Sequence, residues 1–360
     1  MSTYSIDNIC VEQGLQMGTA FGGDSFMLRW DPVDLYVKRA TADEVSEAGG
    51  VTKGATNSSV FVIDTDPVNL TGTKNVFVGR NIASQSTTAT RNVIIGSEAG
   101  KEVLNSVDSI FIGESAGKEN TTGFRNTFIG TDAGTATKNA GDNVFIGYKS
   151  GESATQSTSS VFIGSNAGAK NVTAPLLSTG TFIGHYSGYC NTTGAQNTFI
   201  GGHSGRGNIV GSQNTYIGQG AGSCNFTGSS NVFLGFNAGR YTTSGCNVFL
   251  GSRTGECSVG TQNTFIGPFV GISKTLTGSC NTFIGGCSGP TMSSGFNGSI
   301  AIGYKAEISS NNQLSIASDS VPLGTASTFT SGGPAALTIP VFWLNVTVNG
   351  IDGKLPIYGV

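Results

Sequence analysis

From Asn75 to Ala306 the chain repeats one pattern of apolar and polar positions fourteen times. Asn197-Thr198-Phe199-Ile200-Gly201, followed by Gly202-His203-Ser204-Gly205, is a representative copy. The word is Asn, then Thr or Val, then Phe, then Ile, then Gly. After two further residues comes a small one, usually Ala or Ser, and then usually a second Gly. The closing glycines stand at 79, 96, 113, 130, 147, 164, 184, 201, 218, 235, 251, 267, 285 and 303. Most intervals are 17 residues, with single excursions to 20 and late ones to 16 and 18. A fixed period of this size marks a stacked array, so the core of residues 57–306 is expected to be a parallel β-solenoid or β-roll.

Each word predicts a short strand, because its residues before Gly are β-branched or aromatic. Successive side chains of a strand face opposite ways, so Thr/Val and Ile share one face and Phe takes the other. Phe fills its position in eleven copies and Tyr216 in a twelfth, while the Ile position is Ile, Val or Leu throughout. Both faces are therefore apolar, and one coil has only one inside. Burying a Phe is worth roughly 1.5–3 kcal/mol, and a column of bare rings would exceed the apolar patches that soluble monomers expose. The simplest cover is the same face of identical chains, which predicts a homo-oligomer.

Asn opens the word in ten copies. Stacked coils place these amides one above another, where they can form a hydrogen-bonded ladder. The residues expected to build the stack are Asn126, Asn143, Asn197, Asn214 and Asn231; Phe128, Phe145, Phe162, Phe182 and Phe199; and Ile129, Ile146, Ile163, Ile183 and Ile200. The polar stretches Asn120–Gly123 and Asn191–Gly194 are expected on the solvent side. Pro175-Leu176-Leu177, inside the 20-residue interval, predicts a bulging loop.

Residues 1–56 do not match the word and read as a small docking module. Ser25–Trp30 and Asp34–Lys38 predict strands, and Thr41–Ala48 a short helix. Ser59–Val62 reads as a degenerate first copy and Asn312–Ala317 as a worn last one. Residues 307–360 read as a Ser/Thr/Gly linker and a β-hairpin cap: a strand through Val348, a turn over Asn349–Gly353, and a return over Lys354–Tyr358.

Composition narrows the function classes. Gly numbers 55 in 360 residues without a three-residue period, which excludes collagen, and the regular apolar content excludes disorder. A net charge of -3 offers no drive toward nucleic acid or an anionic membrane. Met1–Gly22 has no basic, apolar export-signal pattern, and no stretch predicts a membrane span. Seven scattered cysteines fit a reducing site of synthesis better than a disulfide scaffold. Cys190 with Cys224, and Cys246 with Cys280, lie two coils apart, roughly 10 Å, too far to bond within one chain.

The word resembles two related repeats. One is the head repeat of trimeric autotransporter adhesins, whose Ser-Val-Ala-Ile-Gly word is nearly matched by Ser299-Ile300-Ala301-Ile302-Gly303. The other is the Phe-Ile-Gly repeat of fibre and spike proteins of tailed phages and of large viruses of algae and protists. Leu344–Gly350 followed by Leu355–Tyr358 is similar to the closing segment of such fibres. The chain departs from the adhesins in its period, in Phe replacing Ala, and in lacking their export signal and anchor barrel. The resemblance implies an intertwined homotrimer and a structural role in a virion. The three chains would form a rigid shaft of roughly 65–70 Å at ~4.8 Å per coil, docked by residues 1–56 to a capsid or tail protein. A host glycan or surface receptor would be the ligand. Alternatives are a cell-surface or secreted adhesin and a tailspike polysaccharide depolymerase.

No cofactor or metal site is predicted, and no enzyme. Glu102 and Glu119 fall in the same register on adjacent coils, about 5 Å apart, the separation used by retaining glycosidases. Lys101 and Lys118 run beside them, which reads as a solvated charge ladder. His185 and His203, the only histidines, lie on neighbouring coils but one register apart, with no third ligand. The glycine-rich words lack a following Lys-Ser/Thr and read as corners rather than phosphate loops. Asn120, Asn191 and Asn225 begin glycosylation sequons. A regular Thr array would suggest ice binding, but Thr alternates here with Val and Ile, at a position expected to face inward.

Overall fold

A computed structural model describes residues 72–85, 88–172, 179–272, 276–290 and 295–316 with their side chains, and the strand backbones at 27–30, 35–38, 50–53, 60–63, 340–348 and 351–358. Every described element is a strand. The chain divides into two units, Met1–Asn231 and Val232–Val360.

In the first unit, β1 (Met27–Trp30) pairs antiparallel with β2 (Leu35–Lys38), which meets β3 (Gly50–Lys53) through Val37 and Val51. β3 pairs antiparallel with β4 (Val60–Ile63). From β4 onward the pairing is parallel and in register, one strand per coil. The series is β5 (Val76–Gly79), β6 (Val93–Ile95), β7 (Ile110–Ile112), β8 (Thr127–Ile129), β9 (Val144–Ile146), β10 (Val161–Ile163), β11 (Thr181–Ile183), β12 (Thr198–Ile200) and β13 (Thr215–Ile217). The fold is an all-β parallel β-solenoid. β10 and β11 stay in register across the 20-residue interval; the loop predicted at Pro175–Leu177 and the helix predicted at Thr41–Ala48 lie outside the described residues.

The second unit continues the same architecture. β14 (Val232–Leu234), β15 (Val248–Leu250), β16 (Thr264–Ile266), β17 (Thr282–Ile284), β18 (Ile300–Ile302) and β19 (Leu314–Ile316) pair in parallel. β20 (Pro340–Val348) and β21 (Ile351–Tyr358) form an antiparallel hairpin. Val348 pairs with Ile351, so only Asn349 and Gly350 separate the strands. The connection is shorter than the five-residue turn predicted, as an Asn-Gly pair between strands permits.

Phe faces inward. Phe111, Phe128, Phe145, Phe162, Phe182 and Phe199 are fully buried and stack ring on ring, with centroids 4.7–5.1 Å apart and planes within 13°. In-register parallel strands repeat at about 4.8 Å, so identical rings fall naturally into a parallel stack. Phe249, Phe265 and Phe283 do the same in the second unit. The cover for the rings is therefore their own coil, not a second chain.

The small-residue tail of the word forms the opposite wall. Ala99, Ala116, Ala133 and Ala167 are fully buried there, and Ser150 Oγ donates to the Phe162 carbonyl at 2.8 Å. A Cβ added at Gly134 would come within 2.7 Å of the Phe128 ring, at a φ of 60° that L side chains rarely adopt. The ring thus fills the coil from wall to wall, which is why a small residue and a glycine must follow each word.

Candidate functional site

The Asn column is buried at the start of each strand and binds backbone in two directions. Asn126 Nδ2 donates to the Ala140 carbonyl of its own coil at 2.8 Å, and the Asn143 N–H donates to Asn126 Oδ1 at 3.1 Å. Asn143, Asn197 and Asn214 repeat the first bond, to Ser157, Gly211 and Gly228. The Asn231 N–H donates to Asn214 Oδ1. Where the word opens with Ser, the hydroxyl replaces the amide: the Asn126 N–H donates to Ser109 Oγ at 3.2 Å.

A second buried polar column, which the repeat word does not announce, lies three residues past the second glycine. Asn191 and Asn208 belong to it, and Asn208 Nδ2 donates to Asn191 Oδ1 at 2.6 Å. The stretches expected to face solvent are therefore half internal. Asn120, Asn191 and Asn225 are all fully buried, so none of these sequons is open to glycosylation in the folded chain.

Ile129, Ile146, Ile163, Ile183 and Ile200 face outward, each half-buried, alongside Thr127, Val144, Val161, Thr181 and Thr198. The inward position expected for Thr/Val is thus overturned: alternation puts it on the face opposite Phe. Burial gives no reason against an ice-binding face. The interruption of the Thr column by Val144 and Val161 does, because it breaks the hydroxyl lattice. In the second unit the same face is more open, with Leu234 45% and Ile302 40% exposed.

Charges are laddered along the outside. Arg91 and Asp108, one coil apart, make a bidentate pair, as do Arg125 and Asp142. All four residues adopt positive φ, a backbone state that Asp tolerates and Arg rarely enters. Glu98 pairs with Lys118 and Lys101, whose donated hydrogen bonds, that of Lys118 foremost, hold its carboxyl below the usual carboxylate range. Glu102 is exposed and Glu119 half-buried on adjacent coils, with Lys138 3.7 Å from Glu119. The described cysteines are free, and among the described residues no three His, Cys, Asp or Glu side chains gather to hold a metal.

His185 and His203 meet edge to face, with centroids 5.4 Å apart. They belong to a larger cluster that the histidines alone do not reveal. Tyr186 stacks on His203 at 5.7 Å with planes 4° apart, His185 stands edge-on to Tyr186 at 4.3 Å, and Tyr189 stands edge-on to Tyr186 at 5.0 Å. Arg206 lies over the Tyr186 ring and Lys170 over the Tyr189 ring, at 5.7 and 4.8 Å. Burial, then the neighbouring Arg206 and His185, lowers the His203 pKa. A signal for the cluster exists in the sequence: no Asp or Glu occurs between Glu152 and Glu256.

No helix among the described residues is long and apolar enough to cross a membrane. In comparisons with known proteins the chain matches no family model, no curated protein and no solved structure.

Proposed function

We propose that the chain is a structural fibre or spike protein of a virion, built as a homotrimer through the outward Thr/Val–Ile face and serving host attachment. One observation carries the trimer. The Phe face is sealed inside each coil, yet the opposite face of the strands stays apolar and half-exposed from β5 to β13. Nine strands at ~4.8 Å, two outward residues wide, make a strip on the order of 400 Å², the size of the largest and often functional apolar patch on a typical monomer. A strip with a fixed repeat is best covered by a surface of the same repeat, and a second and third copy supply one.

The virion role rests on the Phe-Ile-Gly word and the closing hairpin segment, through their resemblance to viral fibres. A laddered, in-register solenoid suits a shaft, since coil-to-coil pairing leaves few strand edges to open. Residues 1–56 would dock the chain to a capsid or tail protein.

The test is location. Peptides of this chain should appear, in multiples of three copies per attachment point, in purified particles of the source that encodes it. Recovery only from a cell-surface fraction would replace the virion reading with that of an adhesin.

A further inference from the structure

We infer that the cluster of His185, Tyr186, Tyr189 and His203, with Arg206 and Lys170, is a binding site for an acidic saccharide, one whose sugar carries a carboxylate. As an attachment site it deepens the fibre reading and rests on it; as a saccharide site it stands on the cluster alone.

The cluster is assembled by the solenoid repeat. The His203 N–H donates to the His185 carbonyl and the Lys170 N–H to the Tyr189 carbonyl, so three successive coils hold the rings in fixed order. His185, Arg206 and Lys170 are exposed, and Tyr186, Tyr189 and His203 are half-buried. Beside His203, a Cβ at Gly202 would meet nothing within 4 Å, so no side chain crowds the position level with His185 on the next coil.

The chemistry of the two parts is complementary. Aromatic faces are electron-rich and attract the polarised C–H faces of a pyranose. A guanidinium held over one ring and an ammonium over another are pre-positioned cations. Arg91, Arg125, Lys149 and Arg253 each meet a carboxylate, whereas Lys170, Arg206 and Arg240 lie over rings. Here the chain supplies no Asp or Glu for six coils, so an anionic ligand would meet no competing carboxylate of the same coils. A nucleic acid fits less well: two cations are a short track for a polymer with one charge per nucleotide, and the chain's net charge is -3.

The full chain is titrated calorimetrically with four probes: an oligogalacturonate, a sialylated trisaccharide, a neutral oligosaccharide and an oligothymidylate. Binding by one or both acidic sugars at about millimolar or better, at least about tenfold tighter than the neutral sugar and the oligothymidylate, is expected. The two acidic probes separate uronic from sialic recognition. Tyr186→Ala and Arg206→Gln should each weaken that binding by about tenfold with an unchanged melting temperature, while Arg240→Gln, at an isolated cation–ring pair with Tyr241, leaves it unchanged. No binding by either acidic sugar, equal binding of the neutral sugar, tighter binding of the oligothymidylate, or wild-type affinity in both cluster variants would each overturn the inference. None of these results would alter where the chain is found, which tests the fibre reading separately.

Discussion

Asn126 Oδ1 accepts the Asn143 backbone N–H at 3.1 Å while Asn126 Nδ2 donates to the Ala140 carbonyl at 2.8 Å, so one side chain ties its own coil shut and fastens the next. Removing it leaves a donor and an acceptor buried without partners, at ~1–3 kcal/mol each. Asn126→Ala should therefore cost about 2–6 kcal/mol in denaturant unfolding. Asn126→Ser should cost less, because Ser109 already serves this column by accepting the Asn126 N–H. Equal losses in the two variants would show that packing, not hydrogen bonding, is at stake.

The glycines divide into required and free positions. Gly134→Ala would drive a Cβ to 2.7 Å from the Phe128 ring at positive φ, and should destabilise by several kcal/mol. Gly202→Ala meets open space and should change the melting temperature by no more than about a degree or two. Thermal melts of the two variants side by side check both.

Phe162 stacks on Phe145 and Phe182 at 4.7 Å on each side, fully buried. Phe162→Ala should cost about 3–5 kcal/mol of coil stability. Ile163, its neighbour on the outer face, should behave oppositely: Ile163→Lys leaves the coil folded and weakens association between chains. Circular dichroism with sedimentation separates the two effects.

Stability should fall at both pH extremes for named reasons. The Asp108 and Asp142 carboxyls are held below the usual range by hydrogen bonds from Arg91 and Arg125, so their contribution is present above the unfolded value and lost as pH drops through the folded one. His203, lowered first by burial, adds a loss that begins as pH falls below its ordinary 6.5, since the folded chain disfavours its charged form. Burial raises the Tyr216 hydroxyl well above its ordinary 10.0, against a hydrogen bond with Asn231, so stability is lost as pH rises past that value. Melts across pH should show a shallower acid limb in Arg125→Gln and a shallower alkaline limb in Tyr216→Phe.

The solenoid was legible from the sequence because its period runs through every copy, its Phe column through eleven and its Asn column through ten. Which strand face points inward was also written, but not in the strand. With Phe on one side and Ile on the other, alternation cannot choose; the Ala133-Gly134 tail can, since only a wall that small accommodates the ring of Phe128. The inward Asn191–Asn208 column was hidden because polar, turn-rich stretches are ordinarily solvated, and beside each amide's local bond to Gly194 or Gly211 the bond between the two forms only on stacking. The aromatic cluster was hidden because His185, Tyr186, His203 and Arg206 come together across coils, and a register one apart reads as separation until Tyr186 is seen to bridge the two histidines.

One face of each strand serves the chain itself, and the proposed trimer gives the other to its copies. Light scattering of the full chain beside a variant carrying Ile146→Lys, Ile163→Lys and Ile200→Lys tests it most directly. A three-chain mass for the parent, and a one-chain mass for the variant with its strand content intact, is the predicted result. A one-chain mass for the parent would contradict it, leaving the outward face of β5 to β13 as the bare surface of a solitary solenoid.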